Sequence, residues 1–256
     1  MKQDIILAGV GGQGILTIAY LLDNVAVAKG LRFKQAEVHG MAQRGGAVYS
    51  HLRFSDREVI SDLVPDGSAD MILSVEPLEV QRYLSFLRPG GVVVASDQPH
   101  KNIPDYPEDS AVIDALLSLP RAVLVDSRDL ATRGGAPKAE NVAMVGAATA
   151  FLPFAIQDYE PPIRDLFGAK GDAVVAANLA VLEAGFRVGA FWRGLLDAGA
   201  RPAAIFPLMR RLDPGTIDPA MAGAFARALA APGAAGRVAS LPPGSACSVE
   251  TARSLA

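Results

Sequence analysis

Gly9, Gly11 and Gly14 stand at the spacing G-x-G-x-x-G, with Gly12 and Gln13 filling the gap before the third glycine. The first position lets the chain turn tightly. The second lets backbone approach a pyrophosphate, and the third lets a helix pack close to a strand. An apolar run, Ile5 to Ala8, precedes the glycines, and a second apolar segment, Ile15 to Ala28, follows them. Strand, glycine turn and helix put free N–H groups and the positive end of a helix dipole where an anion can sit. A second stretch, Glu37 to Gly46, concentrates His39, Gln43 and Arg44 among small residues. The Arg44 guanidinium is a planar fork for carboxylate or phosphate, and the two glycines after it permit a tight bend. Glu37 lies where a dinucleotide fold keeps an acid for a ribose hydroxyl. The loop that follows does not look like an adenine pocket, which favours instead a strand-end carboxylate that pairs with Arg44 or caps a helix.

Other chemistries lack their residues. His39, His51 and His100 are scattered without metal-ligand spacing, so no metal site is expected. Cys247 is the only cysteine and lies far from any histidine, which disfavours a cysteine nucleophile, a disulfide or a cluster held by this chain's thiolates. Neither a G-x-S-x-G elbow nor a Walker-type phosphate loop is present. The net charge of −3 gives no nucleic-acid footprint. No run of about 18 uninterrupted apolar residues occurs, so no membrane span is expected, and the cytoplasm is the natural compartment.

The elements that must position these groups alternate. Strands are expected at Ile5 to Ala8, Arg32 to Val38, Asp70 to Val75, Val92 to Ala95 and Arg121 to Val125, with helices between them. Gly30 closes the first helix, and Pro77 opens another. Ala47 to Phe54 alternates polar and apolar residues, as an antiparallel or edge strand does, and Arg57 to Ile60 is its expected hairpin partner. The fold class is therefore α/β: a mostly parallel, doubly wound sheet with flanking helices. Helices are expected over Lys138 to Phe154, Pro161 to Phe167, Lys170 to Gly185, Gly189 to Ala198 and Pro219 to Ala230. Three segments follow: residues 1–186 as the main domain, 187–231 as a helical extension, and 232–256 as a loose or partner-wrapping tail.

The pairing of Gly9-Val-Gly-Gly-Gln-Gly14 with Glu37-Val-His-Gly-Met-Ala-Gln-Arg-Gly-Gly46 resembles the gamma-type subunit of the 2-oxoacid:acceptor oxidoreductases, the indolepyruvate:ferredoxin branch above all. Asn141 to Gly146, Lys170-Gly171 and Asn178 to Gly185 are similar to that family's closing helices, so the likeness runs from Met1 to Phe186. The resemblance implies a complex that oxidatively decarboxylates an arylpyruvate with coenzyme A, giving an acyl-CoA and reduced ferredoxin. It implies that thiamine diphosphate, Mg2+ and iron–sulfur clusters sit on a large partner subunit. It further implies that Gly9, Gly11, Gly12, Gln13 and Gly14 hold the coenzyme A pyrophosphate, while Met41, Gln43 and Arg44 face the active-site mouth. Two rivals stay open: a stand-alone NAD-dependent dehydrogenase and a non-catalytic structural subunit.

Overall fold

The computed structural model describes residues 1–38 and 45–256. Six strands form one sheet: β1 (Lys2–Val10), β2 (Arg32–Val38), β3 (Ala47–Ser55), β4 (Ala69–Ser74), β5 (Leu87–Ser96) and β6 (Ala122–Val125). Their order is β2-β3-β1-β4-β5-β6. Neighbours from β1 to β6 run parallel, and β3 runs antiparallel to β1 and β2. The mostly parallel α/β sheet is what the alternating pattern predicts. The central strands are short, continuous apolar runs because both sheet faces are covered. Ile5, Ile6, Leu7, Val93 and Val94 are all fully buried.

The helices are α1 (Ile15–Ala28), α2 (Pro77–Arg82), α3 (Asp109–Leu117), α4 (Ser127–Arg133), α5 (Glu140–Thr149), α6 (Glu160–Phe167), α7 (Asp172–Asp197), α8 (Pro202–Met209), α9 (Ala222–Ala230), α10 (Ala234–Ser240) and α11 (Val249–Leu255). α1 and α5 cover one sheet face, and α7 packs over α5; α2 covers the other face, with α3 beside it. Glu76 starts α2 as its cap, accepting the Glu79 N–H at 2.8 Å.

Three departures from the sequence reading have physical causes. β3 is antiparallel as expected, but it is an interior strand; β2 forms the edge. Residues 57–60 form no strand. Arg53 organises that stretch instead, donating to the Ser61 and Leu63 carbonyls at 3.0 and 2.8 Å. The same guanidinium grips the fully buried Asp4 carboxylate at 2.8 and 3.1 Å. Third, the two helices expected on either side of residues 186–188 are one helix, α7, so the 186/187 boundary falls inside it.

α7 is 26 residues long and apolar enough to cross a membrane by length and composition. Within the fold, that apolarity is directed at α5. Gly185 and Gly189 of α7 lie against the Ala143 and Ala147 carbonyls, where an added Cβ would sit only 2.1 and 2.3 Å away. Gly146 of α5 approaches the Leu182 carbonyl in the same way. Small residues at these crossings let the two backbones meet.

The C-terminal part is more ordered than its composition suggests. α10 and α11 occupy residues 234–240 and 249–255, and they bury Val238, Ala252 and Leu255. Trp192 and Phe191 are fully buried, with Phe191 edge-on to Phe225 at 5.6 Å. Arg210, just past α8, reaches Asp97 and Asp126 at the ends of β5 and β6, both at 3.2 Å.

Candidate functional site: a glycine loop at the switch point

The chain leaves β1 toward α1 on one face, and β4 beside it leads to α2 on the other. The glycine loop therefore opens at the crevice between two strands whose connections diverge, the usual ligand position in such sheets. Each glycine has a separate reason. A Cβ on Gly9 would lie 2.5 Å from Val75 Cγ2. Gly14 has φ +82° and faces Asn141, whose Nδ2 would be 2.3 Å from an added Cβ. Gly12 has φ +102° and faces open space. Gly11 extends the β1–β3 ladder: its N–H donates to the Gly46 carbonyl at 2.8 Å, and its carbonyl accepts from Gly45 N–H at 3.2 Å.

Gln13 acts as a brace. Its Oε1 accepts the Val10 N–H at 2.8 Å, and its Nε2 donates to the Val75 carbonyl at 3.2 Å. Both ends of the amide thus tie the loop to the exits of β1 and β4. Asn141 braces the far side, donating to the Gly14 carbonyl at 3.3 Å. Among the described residues, the N–H groups of Gly12, Gly14, Ile15 and Leu16 make no hydrogen bond. These four donors at the start of α1 can receive an anion, with the helix dipole behind them.

Two cavities open at the loop, and a third adjoins them through Thr17 and Asn141. One of about 600 Å³ runs from Gly12, Gly14 and Leu16 across to Glu37 and Ser50. A smaller one, about 340 Å³, lies between Gln13, Gln98, His100, Arg128 and Lys138. The third, about 650 Å³, is bounded by Thr17, Lys138, Phe167, Lys170 and Asn178. Glu37 shares the first cavity with the loop, and its Oε1 accepts from Gln35 Nε2 at 2.6 Å.

His39, Met41, Gln43 and Arg44 lie outside the described residues. The flanks of that stretch are described: Gly45 and Gly46 pair with Gly11, and Asn102 donates to the Gly45 carbonyl at 3.0 Å. Of the other two histidines, His51 lies in the core and His100 in the wall of the smaller cavity. Buried His51 accepts the Val64 N–H on Nδ1 at 3.2 Å, and burial lowers its pKa, so it is neutral with its proton on Nε2. His100 donates its backbone N–H to buried Glu76, which also accepts the Tyr106 hydroxyl at 2.5 Å. Among the described residues, no group of three metal-ligating side chains assembles. Cys247 is buried, and burial raises its thiol pKa, the opposite of an activated nucleophile.

Sequence reading missed Lys138, Arg128 and the bracing role of Asn141. It also missed the Asp97–Asp126–Arg210 cluster, where burial first and Asp126 second raise the Asp97 pKa. No local spacing signals these residues, because they converge only through the sheet.

A glycine loop with free N–H donors at the crevice between β1 and β4 defines an α/β chain with an opening that can receive an anion. Sequence comparison makes this specific: the family model for pyruvate ferredoxin/flavodoxin oxidoreductase matches residues 4–188, and the chain belongs to that family. It is 36% identical over 197 residues to the indolepyruvate oxidoreductase subunit IorB of Archaeoglobus fulgidus, covering 73% of this chain and 94% of the relative. The Thermococcus kodakarensis subunit of the same name is 32% identical over 210 residues, covering 76% and 100%. In fold, the chain resembles the gamma subunit of a keto/oxoacid ferredoxin oxidoreductase from Geobacter sulfurreducens, with TM-score 0.56, 20% identity and coverage of 74% and 97%. It also resembles the 2-oxoglutarate:ferredoxin oxidoreductase of Magnetococcus marinus, solved with 2-oxoglutarate, coenzyme A and succinyl-CoA bound. There the TM-score is 0.60 at 19% identity, over 73% of this chain but only 31% of that longer one. The family match stops at Val188, so α8 to α11 lie beyond it.

Proposed function

We propose that this chain is the small subunit of a 2-oxoacid:ferredoxin oxidoreductase of the arylpyruvate type, indolepyruvate being the model substrate. Its glycine loop holds coenzyme A, and residues 39–44, with Met41, Gln43 and Arg44, cap the active site. The observation that carries this reading is the set of N–H groups at Gly12, Gly14, Ile15 and Leu16, without a partner among the described residues and opening onto a cavity of about 600 Å³, large enough for a nucleotide. Family membership supports the reaction class, and the names of the relatives support the arylpyruvate.

Thiamine diphosphate with Mg2+, and the iron–sulfur clusters, belong to the large partner in this reading, because this chain has one cysteine and no metal-ligating group among its described residues. Thiamine diphosphate supplies the carbanion chemistry that decarboxylates the 2-oxoacid. The loop fixes the pyrophosphate, so the thiol arrives oriented rather than by free diffusion. Gly12, Gly14, Ile15 and Leu16 act as donors; Gln13 and Asn141 keep those donors in place. Ferredoxin is reached through the complex.

Gly12→Asn tests the reading. Asparagine tolerates positive φ better than most residues, and a side chain there meets open space in the chain itself. The complex carrying Gly12→Asn should show a KM for coenzyme A raised on the order of tenfold, with the kcat of acceptor reduction little changed. An unaltered KM would sink the proposal. Glu37, sharing the loop's cavity, is the one feature that favours the dehydrogenase instead. Tight NADH binding by the isolated chain, with substrate turnover, would establish that alternative.

A further inference from the structure

Asp23 is a carboxylate that the isolated chain does not use. It stands on α1 next to Leu22 and Val25, both fully buried, and is itself 8% exposed. Neither of its oxygens makes a hydrogen bond or ion pair with the described residues. Oδ1 is sealed from solvent and Oδ2 is not, so the carboxylate opens outward on one side. Burial, and after it the Glu37 charge, push its pKa up to about 7. The basic residues nearest in sequence are engaged elsewhere: Lys29 pairs with Asp158, and Lys34 donates to the Ile60 carbonyl. An unpaired acid of this kind costs a folded chain stability, as groups kept for function do.

The surroundings of Asp23 point to its use. Val27 lies one turn further along the same face of α1 and is 53% exposed. α1 touches β2, the edge strand of the sheet, so one row of β2 N–H and C=O groups has no strand beside it. Phe33 stands on β2 opposite Phe54, whose ring packs on Phe154 just past α5. Phe33 therefore shares the sheet face that α1 and α5 cover, yet it is 39% exposed. Glu37, four residues on, falls on that same face. The seam between α1 and β2 thus carries exposed apolar side chains beside two acids, one of them buried without a partner among the described residues. Asp23, Val27 and Phe33 line none of the three cavities near the glycine loop, so the seam is a separate surface.

We infer that the α1–β2 seam docks a segment of the large partner subunit that presents a basic side chain flanked by apolar ones. The cation faces Asp23 and Glu37, and its apolar neighbours cover Val27 and Phe33. A cation fits better than a neutral donor, because it offsets both negative charges and not only the missing hydrogen bond. The open edge of β2 offers the same segment main-chain hydrogen bonds. A second copy of this chain fits worse, since a two-fold contact centred on the seam sets acids against acids. The inference rests on the subunit reading above and is independent of coenzyme A.

The test is isothermal titration calorimetry of the chain with the large subunit, in buffers of different ionisation enthalpy. A cation arriving at Asp23 drives off the proton that the carboxylate holds. Assembly at pH 7 should release about half a proton per chain through this group, rising toward one near pH 6 and vanishing near pH 9. Asp23→Asn keeps the shape and should abolish that release. It should also weaken assembly on the order of tenfold at pH 8, while the variant alone unfolds no more easily than wild type. Phe33→Ser should weaken assembly as well. Val249, 49% exposed on α11, is the control, and Val249→Ser should leave assembly unchanged. Unaltered affinity and proton release in Asp23→Asn overturn the inference, and so does equal weakening by the control. Self-association of the isolated chain that Phe33→Ser abolishes, with capture of the large subunit intact, gives the seam to a second copy instead. If the wild-type chain captures no large subunit, the subunit reading fails and the inference with it. If wild type and both seam variants capture it equally, only the inference fails.

Discussion

Asp23 sits on the buried side of α1, 8% exposed, and its Oδ1 has no hydrogen-bond partner among the described residues. Burial pushes its pKa up to about 7, and the nearby Glu37 charge pushes in the same direction. The folded chain therefore keeps a proton that the unfolded chain releases near pH 4. Asp23's contribution to stability is fully present below pH 4, is lost as pH rises toward 7, and stays lost above it. Asp23→Asn, which keeps the shape and removes the charge, should stabilise the chain by about 2 kcal/mol at pH 8 and by nothing near pH 4. Urea unfolding across that range measures the difference; a variant-minus-wild-type gap that does not grow with pH would refute it. His51 works in the other direction, since its lowered pKa costs stability as pH falls below about 6.5, and it cancels in the comparison. At this scale the sequence is legible where a role is local. The spacing of Gly9, Gly11 and Gly14 marks a phosphate loop because backbone sterics act over a few residues. Gln13's role was not readable, since one of its partners, Val75, is 62 positions away.

The α5–α7 crossing shows what element-scale packing demands. With Gly185 replaced by alanine, the new methyl would lie 2.1 Å from the Ala143 carbonyl oxygen, a backbone atom that cannot swing aside. The helices must separate, at a cost of about 2–3 kcal/mol. Gly236→Ala in α10 is the control: nothing lies within 4 Å of its added Cβ, and helix propensity favours alanine. Thermal unfolding should show a clear drop in Tm for Gly185→Ala and none for Gly236→Ala; similar shifts in both would show that the crossing is not tight. The strands were legible because their apolar runs and turn glycines are short-range signals. That β3 is interior was not, because its alternation fits an edge strand equally well and only pairing with β2 decides. α7 likewise satisfies the composition of a membrane span, and only its glycine contacts with α5 show where its apolar face goes.

At the scale of the molecule, the open question is what α8 to α11 serve, since the family match ends at Val188. Their composition, rich in Ala, Gly, Pro and Arg, suggested a partner-wrapping tail. The contacts point to the chain itself. Arg210 anchors on Asp97 and Asp126, Phe225 packs on Phe191, and α8 lies beside β6, the outermost strand on that side of the sheet. Arg237 holds the chain end, donating to the Leu255 carbonyl at 2.8 Å. Asp97 is tied to Gln98, which donates to it at 2.7 Å and lines the cavity next to Gln13, so the extension also braces one wall of the site. Truncation after Gly199 keeps α7 whole but uncovers Phe191 and leaves the buried Asp97 without its cation. The truncated chain should therefore unfold at a Tm several degrees lower and bind a dye for exposed apolar surface, even with no other subunit present. A wrapping tail predicts the opposite division: an unchanged Tm for the isolated chain and weakened capture by the large subunit. Differential scanning calorimetry on the isolated chain, paired with co-purification of the complex, separates the two. An unchanged Tm would return the extension to the partner.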